Sequence, residues 1–407
     1  MISRRGTLQF FGAGLVTVWM GSSASIALAG AETDKRFVTV ILRGALDGLA
    51  AVPPLGDRDY RDQRRGLAFE SAGTAEGALD LDGFFALNPA LQPLHDMYKA
   101  RELVVFHAVA TPYRARSHFD GQDLLENGTA TPHATGDGWL NRALGLMGPD
   151  SEHLGLAVGQ SVPLILRGKA PVGAFAPRQM PELDADFLQR LGALYQGDKV
   201  FAPAIAEGVA AQARNDEVLG DAGDNAMGGA KPPQGANVLK GVISDVGKLM
   251  AAADGPRIAV MDAGGWDTHS NQGVLNGRLA TQLKGLGESL AALKDSLGPA
   301  WSKTVVAVAT EFGRTVAENG TGGTDHGTAG IAFLLGGAVN GGRVVARWPG
   351  LSSANLFESR DLAPTTDLRS VLKCVLAEHL NLPPAAIEKT VFPDSGKAPP
   401  LRDLVRV

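Results

Sequence analysis

Two short stretches of the chain carry carboxylates and imidazoles that could share a cation. Asp267 and His269 stand two residues apart after a pair of glycines, and Asp325 and His326 are adjacent in a second glycine-bounded stretch. In extended backbone, residues i and i+2 point to the same side, so Asp267 and His269 could bind one ion. Such oxygen and nitrogen ligands suit zinc, manganese or iron. The competing interpretation is an aspartate helix cap beside a surface histidine.

Acids at the ends of apolar segments strengthen the metal interpretation. Three apolar segments are typical of buried strands, and each runs out into an acid: Asp47, then Asp262 with Asp267, then Glu311. Because parallel strands end at one edge of a sheet, these carboxylates should converge there. One or two dications would remove their mutual repulsion. The alternatives are a turn residue for Asp47 and capped, glycine-rich surface loops for the whole set.

Candidate catalytic residues lie in two other loops. Ser117 follows a further apolar strand and opens a helix-like stretch, where the helix dipole favours an anion. Its hydroxyl could attack an ester when a metal activates it. The guanidinium groups of Arg114, Arg116 or Arg314 could hold the anionic group. We therefore take Ser117, Arg116 and Arg314 as candidate catalytic residues, with an ordinary N-cap as the alternative for Ser117.

Strand-like and helix-like patterns alternate along the 407 residues without short repeats. This alternation predicts an α/β fold with a mainly parallel central sheet, and we assign residues 31–407 to a single domain. The pattern predicts a strand at residues 162–166, helical segments at residues 181–218 and 237–253, and a helix at residues 272–297. The net charge of −5 and the lack of a basic stripe argue against nucleic-acid binding.

The first thirty residues are typical of an export signal. Arg4 and Arg5 precede an apolar segment at residues 10–20, and Ala27-Leu28-Ala29 resembles a cleavage site. The twin arginine resembles a Tat signal, so we expect the Tat translocon as an export partner and a periplasmic or secreted protein. A Sec signal or an uncleaved anchor is the alternative. No later stretch is long and apolar enough to cross a membrane.

An ordered set of motifs resembles the domain-of-unknown-function 1501 family. The motifs are Leu42-Arg43-Gly44 with Asp47-Gly48-Leu49, Arg116-Ser117-His118-Phe119, Gly138-Trp139, Gly265-Trp266-Asp267-Thr268-His269, Glu311-Phe312-Gly313-Arg314-Thr315 and Gly323-Thr324-Asp325-His326-Gly327. That family resembles a remote branch of the alkaline phosphatase and sulfatase superfamily. The resemblance implies a three-layer αβα sandwich and a nucleophile on or near Ser117. It implies metal ligands at Asp47, Asp267, His269, Glu311 and His326.

The sequence departs from the superfamily pattern at two places. Glu311-Phe312 stands where an Asp-His pair is usual, which removes one metal ligand, and the C-x-P-S-R nucleophile motif of sulfatases is absent. We expect an exported hydrolase of a small anionic phosphate or sulfate ester. Its divalent metal (zinc, manganese, magnesium or calcium) would be bound by residues among Asp47, Asp267, His269, Glu311, Asp325 and His326. The alternatives are a non-catalytic periplasmic binding or assembly protein, and a metal that only stabilises the fold.

Overall fold

The structure of the chain is a computed structural model that describes residues 33–69, 77–148, 154–175 apart from residue 160, 236–406, and scattered positions between 195 and 219. The predicted signal in residues 1–30 and most of the predicted helical residues 181–218 lie outside the described residues. Within the described part, no helix has the length and apolar character needed to span a bilayer.

A large sheet forms the centre of the molecule. The strands of the described residues are β1 Arg36–Leu42, β2 Leu79–Asp80, β3 Ala86–Leu87, β4 Leu103–Ala110, β5 Gly155–Val158, β6 Val172–Phe175, β7 Ile258–Ala263, β8 Thr304–Thr310, β9 Gly330–Leu335, β10 Arg343–Val345 and β11 Thr366–Asp367. The sheet runs in the order β10-β4-β9-β8-β1-β7-β5-β6, with β11 beside β4. Every neighbouring pair in it is parallel except the two pairs of β9. The predicted α/β class with a mainly parallel sheet is confirmed.

Helices cover both faces of this sheet. The helices whose whole extent the structure describes are α1 Gly48–Ala51, α2 Tyr60–Arg64, α3 Gln92–Lys99, α4 His118–Asn127, α5 Trp139–Leu144, α6 Ala236–Ala251, α7 Arg278–Leu297, α8 Leu368–Glu378 and α9 Pro384–Ala386. In β1 the side chains alternate, so Val38 and Val40 join the core under α3, α6 and α7. Phe37 and Ile41 join the core under α4, α5 and α8. Three layers result, as expected for a sheet buried on both faces.

Two predicted elements differ from the observed ones. The apolar residues 162–166 contain the 3-10 turn Leu164–Leu166 and no strand, and β5 pairs with β7 on one side and with β6 on the other. Helix α7 begins at Arg278, six residues later than predicted, because Gly277 has a φ of 126° that a helix cannot contain. The six residues that were predicted to be helical instead form a loop beside the sheet edge.

The sheet topology gathers several loops at one edge. Leu42 of β1 is in register with Ala263 of β7 and Thr310 of β8, so these strands end side by side. Strand β4 runs in the same direction, and the antiparallel β9 begins where β4 ends, with Gly330 opposite Val109. The loops after β1, β4 and β7 therefore meet the loop that connects β8 to β9.

Two buried histidines predict how stability depends on pH. Nε2 of His107 donates to the Val52 carbonyl (3.0 Å) and Nε2 of His379 to the Arg36 carbonyl (2.8 Å). Burial lowers the pKa of each ring from 6.5 to about 4. Between these values the unfolded chain binds protons that the folded chain does not. The free energy of unfolding should therefore fall from pH 6.5 to pH 4 by about 3 kcal/mol per histidine.

The variant His379→Gln tests this expectation, because glutamine can keep a hydrogen bond to Arg36 but does not titrate. Urea unfolding at a series of pH values should give a shallower slope between pH 6.5 and 4 than the unsubstituted chain gives. His133→Gln, at an exposed histidine, serves as the matched control. Equal slopes for His379→Gln and the unsubstituted chain would contradict the assignment.

Candidate metal centre

Three histidines and one aspartate from separate loops meet at the sheet edge. His118 is the first residue of α4, in the connection that follows β4. Asp267 and His269 lie in the loop after β7, and His326 lies in the loop before β9. These loops are distant in sequence, since His118 and His326 are 208 positions apart. Their meeting therefore depends on the sheet and not on local chain geometry.

The Nε2 atoms of the three histidines point towards one centre. Nε2 of His326 lies 2.9 Å from Nε2 of His118 and 3.0 Å from Nε2 of His269. The carboxylate of Asp267 closes the group, with Oδ1 at 3.0 Å from His269 and 3.3 Å from His326, and Oδ2 at 3.5 Å from His118. Ligand atoms of His118, Asp267 and His326 all lie within 4.8 Å of one another.

The other ring nitrogen of each histidine has its own acceptor. Nδ1 of His118 donates to Oε1 of Glu311 (2.7 Å), and Nδ1 of His269 donates to Oδ1 of Asp325 (3.2 Å). Nδ1 of His326 donates to the carbonyl of Arg116 (3.0 Å). When Nδ1 carries the proton, a neutral imidazole has its lone pair on Nε2. Such outer hydrogen bonds are the usual way in which proteins orient metal-ligating histidines.

The donor set fits a single cation. Neighbouring donor atoms of this group lie 2.9–3.5 Å apart, and they repel unless a proton or a metal ion lies between them. Metal–nitrogen bonds of about 2.0–2.1 Å in a tetrahedron separate the ligand atoms by about 3.3 Å, close to these distances. His118, Asp267 and His326 therefore form a set that could hold one divalent ion of the zinc type, and His269 lies next to two of them as a further nitrogen donor.

Arg314 fixes the loop that carries Asp267. Its guanidinium group is fully buried and donates to Oδ1 of Asp267. Its remaining hydrogen bonds go to four backbone carbonyls, those of Gly44, Ala45, Trp266 and Thr324. The loops after β1 and β7 and the loop before β9 are thus joined by one side chain.

Close backbone contacts also require glycine at two places beside the centre. Gly44 has a φ of 118°, and a Cβ there would lie 2.6 Å from the backbone nitrogen of Asp267. A Cβ on Gly323 would lie 2.4 Å from the carbonyl of His269. Any larger residue would push the ligand-bearing loop outward, because side-chain atoms do not approach backbone this closely.

Charges around the centre keep the carboxylates ionised. Burial alone would raise the pKa of Glu311, but hydrogen bonds from His118, Gln122 and the Gly44 amide outweigh it and lower the value to about 2. Burial would likewise raise the pKa of Asp267, and the hydrogen bond and charge of Arg314 reverse this and lower it. The hydrogen bond to Glu311 raises the pKa of His118, whereas burial lowers that of His326.

Glu311 and Asp325 were predicted to be metal ligands, and in the structure they accept hydrogen bonds from the histidines His118 and His269. Glu311 is fully buried, and Oε1 accepts hydrogen bonds from His118, the Gly44 amide (2.9 Å) and Gln122 (3.1 Å). Oδ1 of Asp325 accepts from His269 and from Asn319 (3.1 Å). Each acid therefore orients one histidine of the centre through the oxygen that accepts its Nδ1 proton.

The prediction for Asp47 also needs correction. Its Oδ1 accepts from the amides of Leu49 (3.1 Å) and Ala50 (3.2 Å), so it caps α1. Its Oδ2 accepts from the buried guanidinium of Arg64 and from the Gln272 amide (2.7 Å). Four donors use the lone pairs of the carboxylate and leave none for a metal. The other strand-end acid, Asp262, pairs instead with Arg43 at 2.9 Å.

The predicted anion-binding arginines have other partners. Nε of Arg116 donates to the buried Asp361 (2.8 Å), and its backbone, at a φ of 64°, offers its carbonyl to His326. Arg114 donates to the carbonyls of Thr111 and Tyr113. Together with the bonds of Arg314, these contacts give all three arginines a positioning role, because their guanidinium groups are committed to protein acceptors.

Ser117 occupies the N-cap position of α4, but its side chain makes no capping hydrogen bond. Its amide donates to the hydroxyl of Tyr113 (3.1 Å), which in turn donates to Asp120 (3.0 Å). The hydroxyl of Ser117 is therefore not used by the helix, and Ser117 directly precedes His118 in the chain.

His118 is the site residue that sequence reasoning missed. The rule that predicted Asp267, namely position after a buried strand of a parallel sheet, applies equally to the residues that follow β4. The neighbouring Phe312, in the place of an expected histidine, stacks on His118 with ring centroids 5.0 Å apart. It also lies 5.3 Å from the His326 ring and so forms an apolar wall of the centre.

The fold and the site together define an α/β protein with a metal-type ligand set at its sheet edge. A family model described as "Protein of unknown function (DUF1501)" matches residues 106–391, more than half of the chain. The chain belongs to this family, which confirms the resemblance drawn from its motifs. Comparison with curated proteins finds no match.

Several solved structures are similar to this chain at low sequence identity. One titled "Crystal structure of Ps i-CgsB" is 10% identical with a TM-score of 0.41, covering 89% of this chain and 74% of that chain. The phosphonate monoester hydrolase of Agrobacterium radiobacter is 13% identical with a TM-score of 0.33, covering 77% and 71%. The C-terminal periplasmic domain of EcEptC from Escherichia coli, a complex with Zn, is 10% identical with a TM-score of 0.34, covering 76% and 74%. Scores this low do not by themselves support a conclusion about activity.

The geometry predicts one divalent ion per chain. His118→Ala and His326→Ala should abolish tight binding because each removes a ligand, and Glu311→Gln should weaken it about 10- to 100-fold by loosening His118. Titration calorimetry with zinc and metal analysis after dialysis measure both effects. His133→Ala is the matched control, since that histidine pairs only with Asp120 and Asp123 at the surface. Unchanged affinity in His118→Ala would contradict the ligand assignment.

Proposed function

We propose that this chain is an exported, metal-dependent hydrolase of a phosphate or sulfate ester. The observation that supports this most directly is the convergence of three Nε2 atoms and the Asp267 carboxylate, with every Nδ1 held by its own acceptor. Such outer hydrogen bonds are typical of working metal sites. A bound divalent ion would supply Lewis-acid polarisation of the ester oxygen.

The ligand set favours zinc over magnesium or calcium. His118, His269 and His326 contribute nitrogen, and Asp267 contributes the one carboxylate. Magnesium and calcium prefer sets composed of oxygen, whereas imidazole suits zinc and other later first-row metals. We therefore propose zinc as the resident ion, with manganese or iron as weaker competitors.

The centre is open to solvent on one side, as an ester substrate requires. The side chains of Asp267 and His269 are 42% and 45% exposed, whereas those of His118 and His326 are 23% and 25% exposed. An ester oxygen could thus approach from the side of Asp267 and His269. On the opposite side Phe312 and Glu311, both buried, exclude water from the His118 ring.

Ser117 is the candidate nucleophile within this proposal. Its hydroxyl is not used as a helix cap, and its backbone is held by the hydroxyl of Tyr113. In this step the Ser117 oxygen would form a bond to phosphorus or sulfur while the bond to the leaving alkoxide breaks, and the hydroxyl proton would pass to that alkoxide or to water. A metal bound at the centre would make the proton easier to lose if it contacts the hydroxyl. The dipole of α4, which Ser117 precedes, favours the anionic group of the ester.

A substrate screen tests the proposed activity. Aryl phosphates, phosphodiesters and sulfate esters are offered to the zinc-loaded protein, and at least one class should turn over. His326→Ala should reduce kcat/KM at least about 100-fold, because a metal contributes several kcal/mol to such transition states. Ser117→Ala should lower kcat/KM by a similar factor if the serine oxygen attacks the ester. Full activity in Ser117→Ala would instead indicate attack by water.

The alternative, a non-catalytic binding or assembly protein, makes a different prediction for the same screen. A non-catalytic protein would bind stoichiometric zinc through His118, Asp267, His269 and His326 and would turn over none of the esters. The observation in its favour is that Phe312 stands beside His118 and His326 where a further histidine would be needed for a second metal. A two-metal reaction would then have no second ligand set here.

Export by the Tat route is the remaining part of the proposal. Arg4→Lys with Arg5→Lys should retain the protein in the cytoplasm, because that pathway reads the arginine pair itself and not only its charge. Cell fractionation with immunodetection measures the distribution, and a single Lys35→Arg substitution beyond the signal is the control. Undiminished export of the double variant would indicate a Sec signal.

A further inference from the structure

We infer that Gln272 is a positioning residue that holds the two ligand-bearing loops of the metal centre at the separation the ion requires. This inference rests on the metal centre of the proposed function, but not on its turning over an ester. Gln272 lies in the loop before α7 and is fully buried. It is not a ligand, so any effect on the metal must pass through other residues.

The side-chain amide of Gln272 joins both loops. Oε1 accepts hydrogen bonds from Oγ1 of Thr268 (2.8 Å) and from Oγ1 of Thr324 (3.0 Å). Both threonines are fully buried, so water cannot replace these bonds without entering the core. Thr268 stands between the ligands Asp267 and His269.

Thr324 stands two residues before His326, and its amide donates to the Thr268 carbonyl (3.1 Å). The loop after β7 and the loop before β9 are thus connected at one point by a backbone hydrogen bond and by both hydroxyls on Gln272. A shift of either threonine moves a ligand, because Thr268 adjoins Asp267 and His269 and a single residue separates Thr324 from His326. Metal affinity is sensitive to such shifts, as outer contacts typically contribute 10- to 100-fold.

The orientation of the amide is fixed by a buried charge. Nε2 of Gln272 donates to Oδ2 of Asp47 at 2.7 Å, and a carboxylate can only accept. The amide nitrogen must therefore face Asp47, and the amide oxygen must face the two threonines. Asp47 is itself held by the fully buried Arg64. The Asp47–Arg64 ion pair thus directs Oε1 of Gln272 towards the two ligand-bearing loops. Asp47 thereby influences the metal centre without coordinating the ion.

The test compares Gln272→Met with a matched control. Methionine keeps the length and the apolar volume but removes all three side-chain hydrogen bonds. Asn141→Leu is the control because Asn141 is also a buried amide that joins loop carbonyls, those of Leu166 and Ala170 (2.8 Å each). Zinc affinity is measured by competition with a chromophoric chelator, ligand geometry by the visible spectrum of the cobalt-substituted protein, and stability by unfolding of the metal-free chains.

We expect Gln272→Met to bind zinc about 10- to 100-fold more weakly and to change the cobalt spectrum. Asn141→Leu should lose stability with no change in affinity or spectrum. Wild-type affinity and an unaltered spectrum in Gln272→Met would overturn the inference. A merely structural role predicts that both variants lose stability alike and that neither changes the cobalt spectrum.

Two milder substitutions keep the inference testable if Gln272→Met does not fold. Thr268→Val and Thr324→Val each remove one hydroxyl while keeping the side-chain shape, and each should weaken zinc binding. In the double variant the two effects should not add, because both act through one amide oxygen. Full additivity or unchanged affinity would overturn the inference. Zinc bound normally without ester turnover contradicts the proposed hydrolase and leaves this inference standing, whereas a wild-type chain that binds no zinc overturns both.

Discussion

The buried guanidinium of Arg314 is the interaction on which the candidate site depends. It is always charged, so removing it from water carries a large cost that Asp267 and four carbonyls must offset. The carbonyls come from loops that follow different strands. Each would be a buried, unpaired acceptor without this one side chain. A lysine could not replace it, because three donors on one nitrogen cannot reach acceptors arranged around a plane.

The ligands themselves work against this assembly. The imidazole lone pairs and the carboxylate repel one another where neighbouring donor atoms lie 2.9–3.5 Å apart. Arg314 on one side and the acceptors at Glu311, Asp325 and the Arg116 carbonyl on the other hold them together nevertheless. The surrounding hydrogen bonds therefore hold the ligand side chains in mutually unfavourable positions, as is common at functional sites.

Much of this could be predicted from the sequence, for identifiable reasons. Uniformly apolar strands such as β1 and β8 are stable only inside a sheet that is covered on both faces. The acids that follow these strands lie at the carboxyl edge of that sheet. Asp267, His269 and His326 were predicted and do come together. The sequence pattern could not show that His326 is a candidate ligand whereas the adjacent Asp325 accepts a hydrogen bond from His269. For Asp47, the sequence could not predict the ion pair with Arg64, because Arg64 lies in a segment without helical or strand periodicity.

Similar reasons explain the other differences. The apolar residues 162–166 were predicted to be a strand because a short apolar run has no period that separates a strand from a turn. His118 follows β4, and the sequence does not show that β4 ends at the same sheet edge as β7 and β8. In both cases the deciding information is which strand lies next to which, and that is set by contacts between distant parts of the chain.

The reversed direction of β9 has a consequence of its own. The strand has six residues and spans about 20 Å. Had it run with its neighbours, the loop before it would open at the far edge of the sheet, and His326 would lie about 20 Å from His118. One inverted strand thus turns two remote parts of a linear chain into neighbours. Chain insertions at the opposite edge of the sheet would therefore leave this meeting point of the loops undisturbed.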